Sequence, residues 1–372
     1  MASGAPRQGA AERSNGSVMA SLSAAPGHPA GDSEGRPGRR PTLRDVAALA
    51  GVSFKTVSRV VNDEPGVSPA VAARVREAAD TLGYRPNAAA TALRRADGRT
   101  ATLGVLLEDS GNPFFAALLR GIEEMARSHG VAVFSSSTDL DLAREQEMTR
   151  AYVARQVDAL IAAPTEGDFG HLARAAAEGT RVVLVDRPAE GLDVDVVLAD
   201  NREGARRGVA HLLGLGHRRI GYVGRDPLIY TSRERFAGYA AALAESGITV
   251  DPNLVRREGA TRSSAEQHIE ALLDLPEPPT AIFAAQDIIT MAAVGVLQRR
   301  GLHRSIALVG FDDFELANLL EPGVTVVAQD PHAIGRIAAE RALNPGHDVT
   351  RDVVPTVLIE RGSGEIAPPH HR

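Results

Sequence analysis

The chain contains no cysteine and no tryptophan, and Lys55 is its sole lysine among 41 lysines and arginines. Without cysteine there can be no disulfide and no thiolate metal site. No apolar run approaches the roughly 20 residues needed to cross a bilayer, which argues against a membrane protein. The N-terminus lacks the apolar stretch of a secretory signal, so the expected location is the cytoplasm. Met19 offers an alternative translation start. Enzyme signatures are equally scarce: there is no P-loop lysine, no G-x-S-x-G and no H-E-x-x-H. The glycines of "GLGHRRIGYVG" precede an apolar run instead of following one, so they make no pyrophosphate cradle. The 11 histidines are scattered, His370 and His371 lie at the end of the chain, and His217 is expected to be structural. No enzymatic activity, metal or cofactor is expected.

What is present is a long, charge-divided chain. Its 372 residues suffice for two or three domains, and 44% hydrophobic with 24% charged residues is ordinary globular composition. Residues 1–95 carry thirteen Arg/Lys against eight Asp/Glu, a charge of +5, which leaves −11 for the remainder of a chain whose net charge is −6. A basic front suggests a module facing a polyanion, although a solvated basic face has the same charge.

Residues 1–40 are rich in Gly, Ala, Ser, Pro and Arg with little to bury, and read as a disordered extension. Three short helices follow. Thr42 and Asp45 form a capping-box pattern ahead of "LRDVAALA", with Gly51 as the stop; Ser53 can cap a second helix from 54 to about 62; Ser68 and Pro69 open a third that stops at Gly83. In the second helix Val57, Val60 and Val61 share the inward face, while Phe54, Lys55, Ser58 and Arg59 project outward. A basic side chain can donate to the acceptor edge of guanine, a ring can pack on a thymine methyl, and a hydroxyl can bond a phosphate or a base. A small helical bundle with a solvated face is the alternative.

From about residue 101 apolar runs alternate with amphipathic stretches: "TLGVLL", "VAVFSS", "DALIAAP" and "RVVLVD", then "RIGYVG", "TAIFAA" and "IALVG". Continuous apolar strands between helices indicate parallel sheets covered on both faces, here in two consecutive series. Ligands bind at the carboxyl ends of such strands. That places Asn112, Phe114, Phe115, Asp186, Arg187, Asp200, Arg235, Gln286, Asp287, Asp312 and Gln329 near a common edge. Asp287 equally fits a helix cap, Arg187 an ion pair between lobes, and Phe115 the core.

The stretch "TLRDVAALAGVSFKTVSRVVND" followed by "VSPAVAARVREAADTLGYRPNAAATAL" closely resembles the DNA-binding head of the LacI/GalR family of bacterial transcription regulators. The resemblance is dense over 41–93 and sparser to about 361. It implies a small all-α helix-turn-helix head (41–86), a hinge segment (87–100) that forms a helix on DNA, a two-lobed α/β core of doubly wound parallel sheets like periplasmic binding proteins (101–361), and a C-terminal tail (362–372). It also implies a dimeric repressor on a palindromic double-stranded operator, with a sugar or nucleoside effector between the lobes. Thr42, Ser53, Phe54, Lys55, Thr56, Ser58, Arg59, Asn62, Tyr84, Asn87 and Leu93 fall at DNA-contacting positions, Leu93 as a minor-groove wedge. Thr91 replaces the arginine common in relatives. By family position Asp200, Arg235, Asp312 and Gln329 are the leading effector ligands. Thr261 stands where several relatives have an aromatic residue beneath the ligand, which leaves a sugar slightly favoured over a planar base.

Overall fold

The computed structural model describes residues 39–62, 64–85, 100–258, 261–344, 346 and 348–369. Most of the N-terminal extension and the hinge with Asn87, Thr91 and Leu93 lie outside the described residues. The chain divides into two compact units, the first ending at Pro86 and the second beginning at Asn87.

The first unit holds three helices, α1 (Leu43–Ala50), α2 (Phe54–Val61) and α3 (Pro69–Leu82). Local chemistry sets their ends. The Thr42 backbone N–H and hydroxyl both donate to Asp45 Oδ2 at 2.7 Å, Thr56 N–H donates to Ser53 Oγ at 3.1 Å, and Gly51 and Gly83 adopt left-handed φ of 62°. A left-handed residue ends a helix most cheaply when it is glycine. Ser68 occupies the N-cap of α3, with Pro69 as its first residue. Val46, Val57 and Val75, one from each helix, are fully buried against one another's neighbours in a single cluster. Burying each valine contributes about 1.5 kcal/mol or more.

The second unit has two lobes. The first contains β1 (Thr102–Leu107), α4 (Pro113–Ser128), β2 (Ala132–Ser137), α5 (Leu142–Ala154), β3 (Ala159–Ala162), α6 (Gly170–Ala177), β4 (Arg181–Val185) and β5 (Asp195–Ala199). The chain then crosses through α7 (Asn201–Gly214) to the second lobe, with β6 (Ile220–Val223), α8 (Tyr230–Glu245), β7 (Val255–Arg256), α9 (Arg262–Leu273), β8 (Ala281–Ala284), α10 (Asp287–Arg299), β9 (Ala307–Phe311) and β10 (Thr325–Ala328). It returns through α11 (Pro331–Leu343) to β11 (Arg351–Val354) in the first lobe, and ends with β12 (Val357–Ile359) in the second.

The two sheets run β11-β5-β4-β3-β1-β2 and β12-β10-β9-β8-β6-β7. Every strand pair is parallel except β10 with β12. Fully buried runs such as β3 and β8 are what a sheet covered on both faces requires. The lobes are therefore interleaved, which corrects the reading of two consecutive series. β11 escapes the sequence pattern because it is a short edge strand, "RDVV", with only Val354 buried. Helices pack very closely at three glycines: a Cβ on Gly335 would lie 2.0 Å from Leu118 O and one on Gly121 2.2 Å from His332 O, joining α11 to α4, and one on Gly238 would lie 2.2 Å from Arg202 O, joining α8 to α7.

Candidate functional site

On the head, burial of Val57 and Val60 fixes which face of α2 turns outward. Ser53, Phe54 and Lys55 are exposed at its start, and Thr56, Ser58 and Arg59 are half-buried beside them. Phe54 is 49% exposed beside Lys55, which leaves its ring available to an apolar surface. Asn62 ends the helix, with its amide 3.4 Å from Ser58 Oγ, and Arg59 lies 3.9 Å from Glu64, a loose surface pair. Thr42 is committed to capping α1, and half-buried Tyr84 packs against the head core. Phe54, Lys55, Ser58 and Arg59 thus lie on the side of α2 away from buried Val57 and Val60, a side of basic and aromatic character.

In the core, the ends of β1, β4, β6, β8, β9 and β10 converge on a cleft between the lobes. The room inside it is about 40 Å³, below the roughly 300–1,000 Å³ usual for a small-ligand site. Asn112, Phe114, Phe115, Asp186, Arg187, Arg235, Gln286, Asp312 and Gln329 all line it. Asp200 does not: as N-cap of α7 its carboxylate accepts the Glu203 N–H at 3.3 Å, at the first crossover between lobes. Asp287, also outside the lining, accepts the Ile288 N–H at 2.7 Å in the first turn of α10. Phe115 is both core and wall, and meets Phe114 edge to face at 5.1 Å. Thr261 caps α9 away from the cleft.

Sequence reasoning missed Glu108, Arg225, Thr231, Ser232 and Ala285. The signal was available for two of them, since Glu108 directly follows "TLGVLL" and Arg225 follows "GYVG", at the carboxyl ends of strands beside the switch point of each sheet.

Glu108 joins the lobes. One carboxylate oxygen accepts Arg187 Nη2 at 2.6 Å within the first lobe, and the other accepts Arg225 Nη1 at 2.8 Å from the second. Burial works to raise the Glu108 carboxyl, but Arg187 and Arg225 outweigh it and hold it below the ordinary range. Asp186 and Asp312 occupy equivalent places in the two lobes. Each follows a central strand with left-handed φ, 67° and 72°, and each donates its backbone N–H to the adjacent strand, to Val197 O at 3.1 Å and Val327 O at 2.9 Å. Such a conformation costs a non-glycine residue about 1 kcal/mol or more; the backbone bonds to the adjacent strands hold it, and both residues line the cleft. Asp186 Oδ2 accepts Arg187 Nε at 3.1 Å and lies 3.0 Å from Nη2; burial pushes its carboxyl up, only partly countered by Arg187 and Arg235.

Arg235 is the corresponding cation of the second lobe. Its guanidinium donates to Asn201 Oδ1 and Ala285 O, both at 2.8 Å, and to Asp312 Oδ2 at 3.2 Å, while covering the Phe311 ring at 3.9 Å. Gln329 Nε2 donates to the other Asp312 oxygen. Four buried polar atoms of lining residues have no partner among the described residues: Arg187 Nη1, Arg225 Nε, Gln286 Oε1 and Gln329 Oε1. Native proteins leave few such atoms unmatched, so their concentration in one cleft suits a ligand that donates and accepts hydrogen bonds.

Comparison with known proteins identifies both units. Residues 42–87 match the family model of bacterial regulatory proteins, lacI family, and residues 100–360 match that of periplasmic binding proteins and the sugar-binding domain of the LacI family. The chain is 32% identical over 303 residues to the HTH-type transcriptional repressor PurR of Aliivibrio salmonicida (strain LFI1238), spanning 80% of this chain and 90% of that one. Among solved structures it resembles the transcriptional regulator CelR–cellobiose complex, at 30% identity and a TM-score of 0.66 over 87% of this chain and 100% of that one. It also resembles the lac repressor dimer bound to operator and the anti-inducer ONPF, at 25% identity and a TM-score of 0.77 over 88% of this chain and 99% of that one. With head and core both matched, in the same order and over nearly the whole length of these relatives, the chain belongs to the LacI family of bacterial DNA-binding transcription regulators.

Proposed function

We propose that the protein is a cytoplasmic repressor that binds a near-palindromic operator as a homodimer and takes a small effector, a sugar in preference to a nucleoside, in the cleft of the core. The observation that carries the DNA half of this reading is the face of α2, where Phe54 and Lys55 stand exposed above buried Val57. Two heads in a two-fold dimer require two matching half-sites. The lac repressor dimer on its operator supports that arrangement by similarity.

The preference for a sugar rests on the cleft wall. Among its lining residues only Phe114 and Phe115 are aromatic, and both come from the start of α4. A purine or pyrimidine would find a ring on one side alone, whereas a sugar needs one apolar wall and several hydrogen-bonding groups. The cellobiose bound by the similar CelR points the same way. An effector acts here by binding one arrangement of the lobes more tightly than the other; equal affinity for both would change nothing.

The test is a gel shift with the full chain and DNA from upstream of its own and neighbouring genes, at two salt concentrations, with and without a panel of sugars and nucleosides. The expected result is a specific complex that weakens as salt rises and responds to a sugar. Equal retention of unrelated duplexes would overturn the proposal of an operator, and a response confined to nucleosides would overturn the proposed effector.

A further inference from the structure

We infer that the cleft is matched in charge and selects an uncharged, hydroxyl-rich ligand, discriminating against the phosphorylated or carboxylated form of the same compound. The inference rests on the cleft being the effector site, as proposed above, and narrows the class of effector it takes.

Three guanidiniums line the cleft, Arg187, Arg225 and Arg235, and so do three carboxylates, Glu108, Asp186 and Asp312. Every cation already has its anion. Arg187 lies 2.6 Å from Glu108 and 3.0 Å from Asp186, Arg225 lies 2.8 Å from Glu108, and Arg235 lies 3.2 Å from Asp312. Asp287 adds a further buried carboxyl just behind the lining. An incoming phosphate or carboxylate would therefore find no unmatched positive charge: the open N–H groups of Arg187 and Arg225 belong to cations whose charge is already met, and an added anion would face the carboxylates that meet it.

The pattern of unmatched atoms agrees. Arg187 Nη1 and Arg225 Nε are donors, while Gln286 Oε1 and Gln329 Oε1 are acceptors. The orientation of the Gln329 amide is fixed by its neighbour, since Asp312 accepts from its nitrogen and leaves the oxygen for the ligand. Amide oxygens need donors. A hydroxyl donates and accepts at once, and satisfies both kinds of atom; an ionised phosphate or carboxylate group only accepts, so wherever it replaces a hydroxyl beside an amide oxygen it leaves that oxygen unpaired.

Two measurements on the full chain test this. First, melting temperature is followed against matched pairs, glucose with glucose 6-phosphate and glucuronate, ribose with ribose 5-phosphate, and cytidine with its monophosphate. The neutral member is expected to bind at least tenfold more tightly than its charged partner, and equal or tighter binding of a charged partner would overturn the inference. Second, inorganic phosphate is titrated at constant ionic strength into the wild type and into Glu108→Gln, which leaves three guanidiniums facing two carboxylates. The variant is expected to gain phosphate-dependent protection that the wild type lacks. Protection of the wild type as large as that of the variant, or no added protection in the variant, would show that Glu108 does not match the arginines. This contrast reads the charge of the cleft without any sugar. If it holds while no neutral compound shifts the melting temperature, the sugar-sensor reading fails and the charge matching stands.

Discussion

The backbone N–H of Tyr230 donates to Glu166 Oε1 at 3.0 Å, and this single bond ties the first residue of α8 in the second lobe to the loop after β3 in the first. The same residue is held twice more: its hydroxyl accepts Arg351 Nη2 at 3.1 Å, and it packs against the apolar core of the first lobe. Arg225, five residues earlier in the loop after β6, makes the bridge to Glu108. One loop of the second lobe therefore clasps the first with a half-buried ion pair at one end and an aromatic anchor at the other. Replacement of Tyr230 by alanine is expected to shift the lobes toward a more separated arrangement without unfolding either sheet. Because the chain has no cysteine, spin labels on Glu147→Cys and Ser263→Cys report the distance between lobes directly. An unchanged distance distribution in the Tyr230 variant would remove this residue from the clasp.

Lys55 and Arg59 lie on the outward side of α2 while Val57 and Val60 hold the helix in place. Alanine at either basic position is therefore expected to leave the head folded. Each should cost about 1–3 kcal/mol in operator discrimination if it reads a base, or a uniform loss with a shallower salt dependence if it meets only phosphate. Competitive gel shifts against mismatched operators separate the two, and effector affinity should be unaltered in both variants.

The head was legible because its signals are local. Thr42 with Asp45, Ser53, Ser68 with Pro69, and the left-handed Gly51 and Gly83 each specify a helix end through atoms within four residues. The cleft was only partly legible. Strand ends such as Arg187, Gln286 and Asp312 follow apolar runs and were found; Glu108 and Arg225 also follow apolar runs, but their pairing spans 117 residues and no local pattern encodes that meeting. Asp200 shows the converse: it follows an apolar strand like the others, yet it caps the helix that leaves the lobe and is not among the residues lining the cleft. The return of α11 and β11 to the first lobe was hidden for the same reason, since a short polar edge strand is defined by the β5 partner it pairs with.

Arg235 and Asp312 form a buried pair whose members depend on each other. Alanine at position 235 removes the cation from Asp312 and the donors from Asn201 and Ala285. Loss of one partner of a buried pair typically costs about 3–5 kcal/mol, so a lowered melting temperature is expected together with loss of effector response. DNA binding below the melting temperature should survive. If calorimetry found effector affinity intact in the folded variant, Arg235 would be a strut of the second lobe with no part in binding.

The pH dependence of stability should carry two opposed contributions from the core. Asp287 is pushed up from 3.8 to about 6, first by burial and then by the Asp312 carboxylate. Between these values the native state keeps a proton that the unfolded chain has released, so the stabilising contribution is full below about 3.8 and is lost as pH rises through about 6. His217 behaves in the opposite sense. It is fully buried, its Nε2 donates to Ile366 O at 2.8 Å, and burial lowers its pKa below 6.5, so its contribution is full above 6.5 and is lost as pH falls beneath that value. Asparagine at position 287 keeps an oxygen for the Ile288 N–H and removes the charge. It is expected to stabilise the protein at pH 8 by up to about 3 kcal/mol, with the gain shrinking toward pH 5, where the aspartic acid is already mostly protonated. Urea titrations of wild type and variant at pH 5, 6.5 and 8 measure the difference. A gain independent of pH would mean that the carboxyl at 287 is ionised throughout and that its burial is offset by a neighbouring cation.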